Sequence, residues 1–259
     1  MLADGVAGLM TLFDPHRVAD PYPTYAWLRA ARPVWRPVER VHVLSRHEDC
    51  AAVLRDPRFG RGEGRLGMRR LGRNAEVVAE QPAVRSFLAL NPPDHTRLRR
   101  LVSRAFTPAR VRDLGPRIEA VAAELIKAAR ASGEPVDLIE ALASPLPVTV
   151  ISELLGVPAE DYDRLVGWSD ALAVGAANRD PTLCADPERL DIARPPTRHL
   201  SFGQGIHFCL GAPLARLETQ IVLRLLLERP DDLLLAGEPV WKENTVLRGL
   251  RSLPVTFAR

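Results

Sequence analysis

The strongest regularity along this 259-residue chain lies between residues 116 and 131. Ile118, Val121, Ala122, Leu125, Ile126 and Ala129 recur at three- and four-residue steps. That spacing lays a continuous apolar stripe down one face of an α-helix, and Gly133 marks its end. Residues 145–155 predict a second helix, stopped by Gly156 and Pro158. Residues 159–173 predict a third, and residues 212–228 return to strong helical character. Upstream, residues 21–31 read as a short helix with Tyr22, Tyr25 and Leu28 on one side. Apolar and polar residues alternate on both sides of Glu39-Arg40, so residues 34–44 read as a β-hairpin. Ser45-Arg46-His47-Glu48 has the form of a capping box and opens a helix through Ala51, Val53 and Leu54 that stops before Asp56-Pro57. Asn91-Pro92-Pro93-Asp94 separates two segments. A helix follows over residues 95–106, and Thr107-Pro108 starts the next, with Thr as cap and Pro at the first helical position.

Two stretches break this rhythm. Residues 58–73 are rich in Gly and Arg and read as a mobile loop. Residues 178–201 carry Pro181, Pro187, Pro195 and Pro196 with few periodic apolar positions. Irregular stretches of that length in a compact domain are usually functional or disordered. Residues 233–257 read as short strands with turns near Gly237 and Gly249. The pattern predicts a mainly α fold with a small β region.

Composition narrows the function classes. The hydrophobic fraction of 46% is ample for a packed core. Net charge is only +3, Arg is scattered, and no basic run alternates with aromatics, so no nucleic-acid partner is expected. Cys50, Cys184 and Cys209 are widely spaced, which argues against a disulfide framework and for a reducing, cytoplasmic setting. No apolar run reaches the ~18 residues of a membrane span. The first residues lack the charged and apolar regions of a signal peptide.

The candidate chemistry centres on Cys209, within Phe202-Gly203-Gln204-Gly205-Ile206-His207-Phe208-Cys209-Leu210-Gly211 and directly ahead of Ala212-Pro213-Leu214-Ala215-Arg216. A thiolate is the metal-binding form of cysteine, and a nearby helix N-terminus favours it. Gly203 and Gly205 permit the positive φ angles of a tight loop. Phe202 and Phe208 could keep water from one side of the sulfur. His199, His207 and Cys209 would give zinc three donors, but a fourth at suitable spacing is missing.

At this spacing the loop closely resembles the haem-ligand loop of the bacterial cytochrome P450 family, Phe-x-x-Gly-x-His/Arg-x-Cys-x-Gly followed by Leu-Ala-Arg. A second patch, Asn91-Pro92-Pro93-Asp94-His95-Thr96-Arg97-Leu98-Arg99, resembles the family's Asp-Pro-Pro-x-His-x-x-x-Arg, with Asn91 in place of the first Asp. His95 and Arg99 fall on one helix face. The resemblance implies a cytochrome P450-like fold over residues 1–259 as a single domain. It implies Cys209 as axial ligand to the iron of haem b, with His95, Arg99 and His207 as propionate partners. Phe202, Gly203, Gly211 and Ala215 complete the implied cofactor surround. The implied activity is that of a haem-thiolate monooxygenase: one oxygen atom of dioxygen enters a small organic substrate, with electrons from a ferredoxin-type donor.

The resemblance falls in two blocks, residues 1–173 and 174–259. Between them the family carries well over a hundred residues that are absent here. They would include the distal helix with its acid–threonine pair and a Glu-x-x-Arg helix. No Glu in this chain has Arg three residues later. Ala7-Gly8-Leu9-Met10-Thr11 matches the distal Ala-Gly-x-x-Thr in letters, but lacks the acid and precedes the family's entry motif. The simplest reading is an internal deletion with its junction near 173/174, so no catalytic residue is identified. A haem-binding, non-catalytic remnant and an unstable shortened product are the alternatives. Residues 58–73 would border the substrate pocket, and Cys184 stands where the family usually has Phe.

Overall fold

Leu28 and Trp35 are almost wholly buried, and the short elements around them explain why. A computed structural model describes residues 5–12, 14–17, 19–39, 41–60, 90–133, 135–155, 175–229, 233–243 and 248–257. The predicted helix over 159–173, the junction near 173/174 and most of the 58–73 loop lie outside the described residues. The chain divides into two compact units. The first comprises Met1–Leu12, Asp20–Arg104 and Val174–Cys209; the second comprises Phe13–Ala19, Ala105–Ala173 and Leu210–Arg259.

In the first unit, helix α1 spans Val6–Thr11 and α2 spans Tyr22–Ala31. Strand β1, Val34–Trp35, pairs antiparallel with β2, Val43–Leu44, placing Val34 opposite Leu44 and Trp35 opposite Val43. This is the predicted hairpin, with shorter strands. Leu28 and Trp35 pack together beneath Leu12, Trp27 and Val43. Helix α3 covers His47–Arg55 and α4 covers Asp94–Ser103.

The predicted capping box at Ser45 does not form. The Ser45 hydroxyl donates instead to the Pro33 carbonyl at 3.3 Å, which ties it to the hairpin. The cap comes from far along the chain: Asp180 Oδ2 accepts from the His47 N–H at 2.7 Å. Burial alone would raise the pKa of Asp180. Hydrogen bonds from His47 and Thr182, with the charge of Arg29, outweigh that and hold it below the ordinary carboxylate range.

The stretch 178–201 is irregular, as expected, but closely tied by side chains. Ala177 and Leu200 bury themselves with Ala51 in a small core. Asn178 Oδ1 accepts from the Leu200 N–H at 2.6 Å. Arg29 donates to the Ala176 carbonyl at 2.9 Å. Arg179 lies 3.7 Å from the centre of the Tyr22 ring and pairs with Glu188. Arg194 donates to Cys184 Sγ and to the carbonyls of Asp186 and Arg189.

In the second unit, α5 spans Pro108–Asp113, α6 spans Gly115–Ala131, α7 spans Pro145–Leu155 and α8 spans Ala212–Leu227. Thr107 caps α5 through the Arg110 N–H, and Gly133 takes φ +69° just beyond α6. The stripe of α6 is buried as predicted: Ile118, Val121 and Ala122 meet Val111, Leu146, Val150, Leu214 and Ile221. Strands β3, Val136–Asp137, and β4, Leu233–Leu235, both run antiparallel to β7, Pro254–Phe257, in the order β3-β7-β4. Strands β5, Val240–Trp241, and β6, Leu250–Ser252, form a separate antiparallel pair. A π-helical segment, Ile139–Ala143, is unanticipated; Asp137 Oδ1 accepts from the Ile139 and Leu253 N–H groups beside it. No helix among the described residues is long and apolar enough to cross a membrane.

Glu218 stands out on α8. Its side chain is only 8% exposed, and its Oε1 has no hydrogen-bond partner among the described residues. Burial raises its pKa to about 7. The fold therefore favours the neutral acid. Its contribution to stability is fully present below the unfolded-chain value, and is lost as pH rises through about 7. Glu218→Gln should remove this dependence: in urea titrations the variant gains on the parent between pH 5 and pH 8. A stability difference that stays constant across that range would refute the assignment.

Candidate functional site

Gly203 and Gly205 both adopt positive φ, +68° and +67°, as the sequence of the loop anticipates. They serve different needs. At Gly203 a Cβ would meet only ordinary contact, so the requirement is conformational. At Gly205 a Cβ would sit 2.2 Å from the Leu54 carbonyl oxygen. The loop therefore lies directly on the C-terminal end of α3, at a distance that only glycine allows. A short 3-10 turn, Gly205–His207, follows. The loop amides bond within the loop: Gly203 N–H to Leu200, Phe208 N–H to Gly205, and Cys209 N–H to Phe202 at 2.8 Å.

This geometry presents the Cys209 side chain to solvent. Both flanking phenylalanines keep some exposure of their own. Phe208 is 38% exposed and Phe202 only half-buried. The other thiols differ. Cys50 is pushed up to about 11, first by burial and then by the charges of Asp49 and Asp180, and it donates to the Leu44 carbonyl. Such a thiol is disfavoured as a thiolate. Cys184 is held by Arg194.

Helix α4 brings the second patch to this loop. His95 is 1% exposed, and its ring centre lies 4.1 Å from that of His207 at an interplanar angle of 48°. One turn later Arg99 Nη2 donates to the Phe208 carbonyl at 2.6 Å. His95, Arg99, His207 and the residue preceding Cys209 thus meet, although α4 and the loop are over a hundred residues apart in sequence. The predicted Gly211 and Ala215 belong to the second unit. Gly211 caps α8, and its carbonyl accepts from the Ala215 N–H at 2.9 Å. Among the described residues no group of three His, Cys, Asp or Glu side chains is placed to hold a metal ion, so His199, His207 and Cys209 are not brought together as one. His199 instead accepts from the Ser201 N–H.

Known proteins resemble this chain in sequence and in fold. The family model described as Cytochrome P450 matches residues 171–244. Cytochrome P450 monooxygenase PikC of Streptomyces venezuelae is 29% identical, with 93% of this chain and 92% of PikC covered. The chain belongs to the cytochrome P450 family. Erythromycin C-12 hydroxylase of Saccharopolyspora erythraea is 36% identical over 197 residues, covering 74% of this P450 and 46% of that enzyme. Among solved structures, myxobacterial CYP267B1 in complex with myristic acid superposes with a TM-score of 0.81 at 26% identity, covering 96% of this chain and 99% of that one. Ligand-free CYP164A2 of Mycobacterium smegmatis gives 0.79 at 28% identity, with the same coverage. The fold is a mainly α, internally shortened P450 fold with small sheets. The PikC alignment spans 388 columns, whereas 93% of this chain is about 241 residues, so about 147 columns face a gap in this P450.

The contact between Gly205 and Leu54 gives a direct test. Gly205→Ala combines a positive-φ penalty of roughly 1–2 kcal/mol with a backbone clash, and should lower stability by about 2 kcal/mol or more. Gly115→Ala, where a Cβ meets nothing within 4 Å, should stay within about 0.5 kcal/mol of the parent. Chemical denaturation of both variants measures the difference.

Proposed function

We propose that this P450 holds haem b through Cys209 and is built for haem-thiolate monooxygenation of a small organic substrate. The observation that carries the reading is the convergence of His95, Arg99 and His207 on the loop bearing an exposed Cys209. The donor set fits the group: a solvent-facing sulfur for iron, with imidazole and guanidinium donors for carboxylates.

Each residue has a chemical task. Cys209 supplies a sulfur that bonds iron as thiolate. Arg99 keeps further N–H donors beyond the one given to Phe208, since a guanidinium has about five. Charge-assisted bonds from it to a propionate are of the strong kind. The neighbouring rings of His95 and His207 would add imidazole donors beside it. Phe202, Gly203, Gly211 and Ala215 complete the surround by resemblance. Haem bound through a thiolate supplies dioxygen activation, because the sulfur pushes electron density that favours O–O cleavage. Overall, one oxygen atom enters the substrate and the other leaves as water, consuming two protons and two electrons from a ferredoxin-type donor. The relatives support a small organic substrate by their names: erythromycin and vitamin D(3) hydroxylases are among them. Wide cysteine spacing favours a cytoplasmic setting.

We further read residues 1–259 as one shortened domain with its junction near 173/174. The family match begins at residue 171, and segments of the two units abut between Ala173 and Val174. The missing columns favour a second reading, a haem-binding remnant without turnover. The acid–threonine pair has no substitute in Thr11, whose hydroxyl donates to the Ala7 carbonyl at 3.0 Å within α1.

Purified chain reconstituted with haem should bind it stoichiometrically and, reduced under carbon monoxide, show the red-shifted Soret band of thiolate ligation. Cys209→Ser should abolish that band; a histidine-like spectrum in the parent would sink the assignment. Peroxide-supported product formation separates the enzyme from the remnant.

A further inference from the structure

We propose that Arg99 is a positioning residue that fixes the Cys209 loop before any haem is present, acting through the backbone carbonyl of Phe208. The sulfur side of this loop has little apolar anchorage. Ile206 is 47% exposed, Phe208 is 38% exposed, and Cys209 itself is exposed. Side-chain burial of the kind that holds α6 is therefore not what keeps the sulfur in place. Beside the backbone approach of Gly205 to α3, two contacts from α4 act on the loop. The buried ring of His95 lies against His207, and one turn later the Arg99 guanidinium donates to the Phe208 carbonyl at 2.6 Å. The two contacts fall on adjacent loop residues, so α4 grips the turn directly before the ligand. The bond to Arg99 is charge-assisted, and such bonds are stronger than neutral ones. It restrains the peptide that leads into Cys209, whose own N–H is tied back to Phe202. Loop position is thus set by the same side chain that offers its remaining donors to the cofactor. The significance of this placement rests on Cys209 as the iron ligand, but the bond and its test do not.

Amide hydrogen exchange on the haem-free, full-length chain tests it. In Arg99→Ala, exchange across residues 202–209 should quicken by about tenfold or more, the scale of one hydrogen bond to a charged group. Exchange in α3 should match the parent. Arg99→Lys, which keeps the charge and a donor on a differently shaped head, should give a smaller rise confined to the same residues. Unchanged loop exchange in Arg99→Ala would overturn the proposal. So would a rise shared equally by α3, which would make Arg99 a general contributor to stability. If the alanine variant does not fold, Arg99→Lys decides: a rise limited to 202–209 supports positioning, and no rise refutes it. Haem titration of the same variants is a separate readout, so loss of haem binding with normal loop exchange would reduce Arg99 to a cofactor contact.

Discussion

The carboxylate of Asp180 is the charge on which the placement of the ligand loop depends. It is 4% exposed, and a buried charge is tolerated only when it is well hydrogen-bonded. Its oxygens accept from the His47 N–H, the Thr182 N–H and the Thr182 hydroxyl. One group therefore caps α3, where the helix dipole also favours negative charge, and folds the start of the 180–201 stretch. From there the chain runs alongside α3. The His47 ring donates to the Arg198 carbonyl at 2.8 Å, and Gly205 meets the Leu54 carbonyl at the far end of the helix. The loop is held against α3 at both ends of that helix. Part of its geometry follows from α3, whose first turn Asp180 caps.

This arrangement explains what was and was not legible in the sequence. The helices of the second unit are visible because their information is local. The stripe through Ile118 and Ala122, the Thr107 cap and the stop at Gly133 each depend on a few neighbouring residues, and each forms. The start of α3 was located correctly but attributed to the wrong group. Ser45 and Glu48 have the spacing of a capping box, yet the strand turn before α3 brings the Pro33 carbonyl within reach of the Ser45 hydroxyl. The true cap lies 133 positions away, and no periodicity in the chain encodes such a partnership. The π-helical segment Ile139–Ala143 is missed for a related reason: it depends on Asp137 bonding at once to Ile139 and to Leu253, on the far side of the unit's sequence.

The site was more legible than its surroundings. Glycine spacing foretold the two positive φ angles, and the family-like patches identified the residues that α4 brings to the loop. What the sequence could not supply is exposure. Two flanking phenylalanines suggest a shielded sulfur, but shielding depends on how the loop is carried. Here backbone bonds carry it and leave both the Phe208 ring and Cys209 open. Cys50 shows the opposite case. Its sequence setting is unremarkable, yet burial and two nearby carboxylates push its thiol up.

Internal shortening of a P450 separates two requirements that are usually met together. Holding a sulfur in position is, in this chain, a task confined to the first unit. Asp180, the Gly205–Leu54 approach, His95 against His207, and Arg99 at the Phe208 carbonyl all lie within Asp20–Arg104 and Val174–Cys209. The second unit buries its own core through α5, α6, α7 and α8, but Leu155, Leu223 and Leu227 remain at least half exposed on two of those helices. Large apolar side chains left open in this way normally find a partner element. Placement of the Cys209 turn is local to α3, α4 and the loop itself, each contact being made by residues of those three elements.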